Sequence, residues 1–260
     1  MGLFDNVFQK KVCAVCGNEI GLLGNRKLED GNLCKHCAAK LSPWFSDRRT
    51  STVEEIKQQL AYREENKKAV EAFNATRVLG DRTKIYVDDN AQKIMVTSAS
   101  NYREANPDVI DFSQVIGTEI DVLDHKTEVK RKDKDGNMVS YMPPRYRFYF
   151  DFKCILRVNH PYFDDITFNL SGSSIEITDD NGAPEAHMPN PRFNYEYRKY
   201  EDLGNEIVDL FATAKRQARQ EQVVEKPVEV KKAAFCPHCG ASTSNNTGKF
   251  CEYCGGSLVG

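Results

Sequence analysis

The chain has 260 residues, of which 40% are hydrophobic and 28% charged, and its formal net charge is −2. That supplies enough apolar residue for at least one sizeable core, but the near-neutral balance argues against a strongly basic nucleic-acid binder. No apolar run approaches the ~20 residues needed to span a bilayer. The stretch Met1–Lys11 has neither a long apolar run nor a small-residue cleavage site, so no signal peptide is expected. A cytoplasmic location follows as the expectation, and in a reducing compartment paired CxxC motifs point to metal rather than to disulfides.

Charge is spread unevenly. Residues 1–50 carry eight Lys/Arg against five Asp/Glu, residues 211–260 seven against four, and the middle twenty-one against twenty-nine. The ends look basic until metal is counted. Four thiolates around Zn²⁺ add a net −2, which brings each end to about +1.

The first unit spans 1–45. Met1–Phe8 places Leu3, Phe4, Val7 and Phe8 at helical spacing, a short apolar stripe suited to a membrane surface, a partner or the finger itself. Cys13-x2-Cys16 is followed by Gly17, which lets the backbone turn tightly around a metal. Asp30-Gly31 is a turn signal, and Cys34-x2-Cys37 opens a predicted short helix through Leu41. Thr52 and Glu55 make a capping box for a helix over residues 52–73, within a spacer at 50–74. Its apolar positions Val53, Ile56, Leu60, Val70 and Phe73 are interrupted by Arg63 and Lys67. The expectation is a surface helix packed at its two ends.

Strands then dominate a domain at 75–222. Lys84–Asp88 and Lys93–Thr97, separated by Asp89-Asn90, read as a hairpin. Ile116–Lys130 is a second strand region, followed by the charged turn Lys132–Asn137. From Tyr146 to Val158, Tyr146, Phe148, Phe150, Phe152, Cys154, Leu156 and Val158 share one face, which predicts a long strand with one buried side. Ile166, Phe168 and Leu170 continue the period, and Ser174–Thr178 adds a short strand. A helix over 200–222 lines Tyr200, Leu203, Ile207, Leu210, Phe211, Ala214 and Ala218 on one face, so it should lie on the sheet. Residues 223–234 read as a linker around Pro227. Cys236-x2-Cys239 and Cys251-x2-Cys254 then build a second four-cysteine unit at 235–260.

Each set of four cysteines has spacings that close a tetrahedron around one zinc ion, so two zinc ions per chain are expected. Such sites have no open position for water, which makes them structural rather than catalytic. His36 and His238 lie inside CxxC loops whose ligand sets are already complete. Cys154, on the apolar strand face, reads as core, and His125, His160 and His187 share no motif with a nucleophile. His160 and His187 are expected in exposed loops. Asp164-Asp165 and Asp179-Asp180 lack the further oxygen ligands of a calcium loop. No phosphate-binding glycine loop or nucleophile motif is present, so no catalytic or cofactor-binding residue is nominated and no enzyme activity is expected. The densest basic run, Lys130-Arg131-Lys132 with Lys134, is interleaved with Asp133 and Asp135 and reads as a solvated turn.

Cys13-x2-Cys16-Gly17, Ile20-Gly21, Lys27-Leu28, Asp30-Gly31, Cys34-x2-Cys37 and Lys40-Leu41-Ser42 resemble an uncharacterised bacterial family with an N-terminal four-cysteine finger. The resemblance implies a following β-rich module similar to a PH or GRAM domain, which the order of strands and then one helix fits. Cys236-Pro237-His238-Cys239-Gly240 through Phe250-Cys251-Glu252-Tyr253-Cys254-Gly255 looks like a general bacterial zinc ribbon. The expected architecture is therefore α+β: a small N-terminal zinc finger, an antiparallel PH/GRAM-like β-domain with a C-terminal capping helix, and a C-terminal zinc ribbon. The expected role is a non-enzymatic adaptor for a protein partner. Nucleic-acid binding through the zinc units, and membrane-surface binding through Leu3, Phe4, Phe8 and the Lys130 region, are the alternatives.

Overall fold

A computed structural model describes residues 11–178, 182–225, 235–243 and 250–258. The apolar stripe of residues 3–8, the Asp179-Asp180 pair and most of the expected linker lie outside them. The chain forms two compact units, Met1–Lys215 and Arg216–Gly260. No helix among the described residues is long and apolar enough to cross a membrane.

The first unit begins with four short strands, β1 (Lys11–Val12), β2 (Glu19–Ile20), β3 (Asn25–Lys27) and β4 (Asn32–Cys34), followed by helix α1 (Lys35–Ala38). β1 pairs with β2 and β3 with β4, both antiparallel. Two-residue strands bury little, and the core here is small: Leu28, Leu33, Leu41 and Ile56 around the buried cysteines. Ile56 comes from helix α2 (Val53–Ala72), so the finger is closed by the next element. The capping box holds as read: Thr52 Oγ1 accepts from Glu55 N–H, and the Glu55 carboxylate accepts from Thr52 N–H.

Helix α2 departs from the expected spacer. Its ends do pack apolar, Ile56 on the finger and Val70 with Phe73 against Tyr86 and Met95. Between them, however, Gln59, Arg63 and Asn66 are buried at helical spacing. Partners satisfy most of their polar atoms: Gln59 Oε1 accepts from Ser42 N–H at 3.3 Å, although its Nε2 is buried without a partner. Arg63 Nη1 donates to Asp108 Oδ1 at 2.7 Å, Ser42 Oγ donates to Asp108 Oδ2 at 2.8 Å, and Tyr62 Oη donates to Asp108 Oδ1 at 3.2 Å. Asn66 donates to Pro107 O at 2.8 Å and accepts from Val109 N–H. The face that looks interrupted in sequence is a continuous buried stripe, polar in its middle.

β5 (Arg77–Leu79), β6 (Lys84–Asp88), β7 (Lys93–Thr97) and β8 (Val109–Asp111) form a four-stranded antiparallel sheet in sequence order. The β6–β7 hairpin has the limits read from sequence. Helix α3 (Tyr102–Ala105) precedes β8. The second sheet is built on β10 (Met138–His160). β9 (Val115–Lys132) runs along one side of it, with β11 (Phe163–Asn169) and β12 (Ile175–Ile177) on the other. The alternating residues Phe148, Phe150, Phe152, Cys154, Leu156 and Val158 are buried as the period requires. Helix α4 (Tyr195–Glu225) lays Tyr197, Tyr200, Ile207 and Phe211 into the same core. Mixed α and β structure with antiparallel sheets is thus observed.

Both β9 and β10 run further than their apolar period. Val122–Glu128 is exposed throughout but pairs with the core-lining Tyr146–Phe152; only the outer part, Val129–Lys132 against Met138–Arg145, is a two-stranded ribbon with no buried residue. Ser140 pairs with Lys130 and Arg145 with the adjacent Val129, so Tyr141–Pro144 bulge out of β10. Pro143 and Pro144, which cannot donate to a ladder, sit in that bulge.

Candidate metal centres

Four CxxC segments supply the two cysteine sets, and three of them share one conformation. Cys13 N–H donates to Asn18 O and Gly17 N–H to Cys13 O, both at 2.9 Å. Cys236 with Ala241 and Gly240, and Cys251 with Gly256 and Gly255, repeat the pair of bonds at 2.8 Å. The turn closes because the residue after the second cysteine is left-handed, with φ of 72°, 72° and 71° at Gly17, Gly240 and Gly255. The fourth segment differs. Cys34 caps α1, and its Sγ accepts from Cys37 N–H at 3.4 Å.

Within each set all four sulfurs lie inside 4.8 Å of one another. Cys16 and Cys34 are 3.8 Å apart, and Cys236–Cys254 and Cys239–Cys251 are both 3.7 Å apart. A tetrahedron with metal–sulfur arms of about 2.3 Å has edges of about 3.8 Å. A disulfide would need about 2.05 Å, and all nine cysteines are free thiols. Each cluster can therefore hold one zinc ion, two per chain.

Electrostatics point the same way. At Cys13, burial opposes ionisation but N–H groups of Cys16, Cys34 and Val15 outweigh it, bringing the thiol down to about 6. Burial, then the hydrogen bonds its thiol donates to Cys34, Cys16 and Cys13, push Cys37 up. The ribbon repeats this. Burial opposes ionisation of Cys236, yet the His238 and Cys239 N–H groups bring it to about 6. Cys239 rises to about 12: the Ala241 N–H favours its thiolate, but hydrogen bonding to Cys254 and burial prevail. One thiolate forms readily and makes the next one costly. A dication removes that conflict by attracting every thiolate at once.

His36 and His238 stand outside both clusters. Cys154 is fully buried in β10 and its thiol is pushed up to about 12 by that burial, as a core residue should be. His187 is exposed, and His125 of β9 stacks on its cross-strand neighbour Tyr149 of β10. His160 is a correction. It ends β10, is only 8% exposed, stacks on Phe163 at 4.0 Å and lies 3.1 Å from Tyr62 Oη. The aromatic neighbours after Pro161 bury it, a contact that a loop assignment does not anticipate. The Asp108 cluster was also missed, although polar residues at 59, 63 and 66 on a helical face carried its signal.

Residues 11–59 match a domain of unknown function, DUF4428. The matched span contains the first four cysteines and the opening turns of α2, in agreement with Ile56 closing the finger core. No curated protein and no solved structure matches the chain.

Proposed function

We propose that the protein is a non-enzymatic zinc-binding adaptor that engages a protein partner through its C-terminal ribbon. One observation carries this reading. Phe235, Phe250 and Tyr253 of the ribbon are 64%, 63% and 80% exposed, while its small core is Cys236, Cys251 and Leu258. Aromatic side chains are the favoured anchors of interfaces, and metal binding can hold so small a unit rigid without burying them. The first unit adds the long, exposed edge of β9, which among the described residues pairs only with β10. A four-stranded antiparallel sheet, a second antiparallel sheet and one C-terminal helix support a PH/GRAM-like reading of residues 75–222. Full ligand sets of four cysteines support structural rather than catalytic zinc, and the reading places the protein in the cytoplasm.

The test is a pull-down with zinc-loaded full-length protein and the variant Phe235→Ser/Tyr253→Ser. A partner held by the parent and lost by the variant, with zinc content unchanged, is the expected result. Equal retention of every partner contradicts the reading. Binding of single-stranded oligonucleotides with steep salt dependence would favour nucleic acid instead.

A further inference from the structure

The finger carries a feature that neither its zinc nor its core explains. Gly24 N–H donates to Gly21 O at 2.9 Å, closing a tight turn whose two corner residues are Leu22 and Leu23. Turn corners ordinarily take Gly, Asn, Asp or Ser, each for a conformational or hydrogen-bonding reason. Leucine supplies neither. Both leucines are 94% exposed. A single exposed leucine is commonplace, but two adjacent ones at a projecting tip form an apolar point with no fold role.

The chain leaving this tip enters a cationic pocket. Arg26 and Lys27 on β3 and Arg48 and Arg49 in the following 3₁₀ turn line a concavity of about 840 Å³. Glu29 is the one carboxylate on its wall. The pocket is held in shape by Arg48 Nη1, which donates to Lys27 O at 2.7 Å. Arg26 Nη1 reaches back to Leu23 O at 3.4 Å, so a guanidinium lies at the base of the leucine tip. None of the four cations is ion-paired with a described carboxylate. Burial, then repulsion from Arg49 and Arg26, draws the Arg48 pKa down, as expected where positive charge is gathered without compensation.

An apolar point beside uncompensated positive charge matches one kind of surface. Phosphate headgroups lie at the boundary where hydrocarbon begins, so one rigid element can touch both. We propose that Leu22 and Leu23 insert into an anionic lipid membrane while Arg26, Lys27, Arg48 and Arg49 hold its phosphate headgroups. The zinc cluster would serve this docking by fixing β3 and β4, and so the tip, against the pocket. A nucleic-acid backbone would use the cations but leave the leucines without a role. The site is independent of the ribbon, so its failure leaves the adaptor reading standing and the reverse.

The experiment is co-sedimentation of zinc-loaded full-length protein with vesicles of phosphatidylcholine alone, with added phosphatidylserine, and with an added phosphatidylinositol phosphate. Binding to the anionic vesicles only is expected. Leu22→Ser/Leu23→Ser and Arg26→Glu/Arg49→Glu should each weaken it at least tenfold, with zinc content and melting temperature held at parental values. Inorganic phosphate and a single-stranded oligonucleotide serve as soluble probes. Absence of vesicle binding overturns the proposal. So does vesicle binding that is unchanged in the leucine variant, since the pocket would then be a phosphate site without a membrane role. Oligonucleotide binding that exceeds vesicle binding and needs only the arginines overturns it as well.

Discussion

At the scale of single residues, the cysteines and the Asp108 cluster show two ways of burying charge. Thiolates in the clusters call for a metal. Elemental analysis of purified protein is expected to give about two zinc equivalents per chain, and about one in either Cys34→Ser or Cys251→Ser. A value near zero with oxidised thiols would contradict the tetrahedral reading. Asp108 is instead balanced by Arg63, whose side chain is 8% exposed against 0% for the carboxylate. Removing one partner strands the other, so Asp108→Ala should cost about 3–5 kcal/mol in urea unfolding. Tyr62→Phe, which loses the hydrogen bonds to Asp108 and to His160, should cost about 1–3 kcal/mol. His160 extends the cluster. Burial holds its pKa below the ordinary value, with Asp108 opposing. The unfolded chain then takes up the proton first as pH falls, so stability present at neutral pH should decline below about pH 6.5. His160→Gln should flatten that part of the profile; an unchanged slope would assign the decline to other groups.

At the scale of elements, the legible parts are those whose signal is local. The β6–β7 hairpin, the Thr52–Glu55 cap and the alternating face of β10 depend on spacing within a few residues, and each stands where it was read. The polar face at 59, 63 and 66 in the middle of α2 was visible, but not its partner Asp108, which lies 45 residues beyond Arg63. β9 and the turn after it stand close to where they were read, but the start of β10, Met138–Arg145, was not legible. None of its residues is buried, so no apolar alternation marks it, and Pro143-Pro144 argue against a strand until the bulge accommodates them. Helix α4 was read correctly as lying on the sheet, but its closeness was not. A Cβ placed on Gly204 would stand 3.1 Å from Ile120 of β9. Alanine there trades a mild contact against better helix propensity and should be near neutral. Gly204→Leu has no room, and its overpacking should lower stability by about 1–3 kcal/mol. Thermal unfolding of the two variants separates close packing from any flexibility need at this position, since flexibility would make both variants destabilising.

At the scale of the whole molecule, stability is divided between two kinds of core. Met1–Lys215 contains the apolar cluster spanning Leu79 to Phe211, joined to the finger through α2. Arg216–Gly260 contains a core of two cysteines and Leu258. Burying so few groups yields little free energy, so the ribbon's folding must come mainly from its metal. The two units should then respond differently to a chelator. Zinc removal should unfold the ribbon, and should open the finger only as far as the seal of Leu28, Leu33 and Ile56 permits, leaving the sheets intact. Deletion of residues 235–260 is expected to give a folded protein whose main melting transition lies within a few degrees of the parent and whose zinc content falls from about two to about one. If the ribbon is the partner-binding element, the same deletion abolishes capture of the partner. A drop of many degrees in the main transition would mean that the ribbon supports the larger core. Full retention of the partner would move the interface to the finger or to the exposed edge of β9.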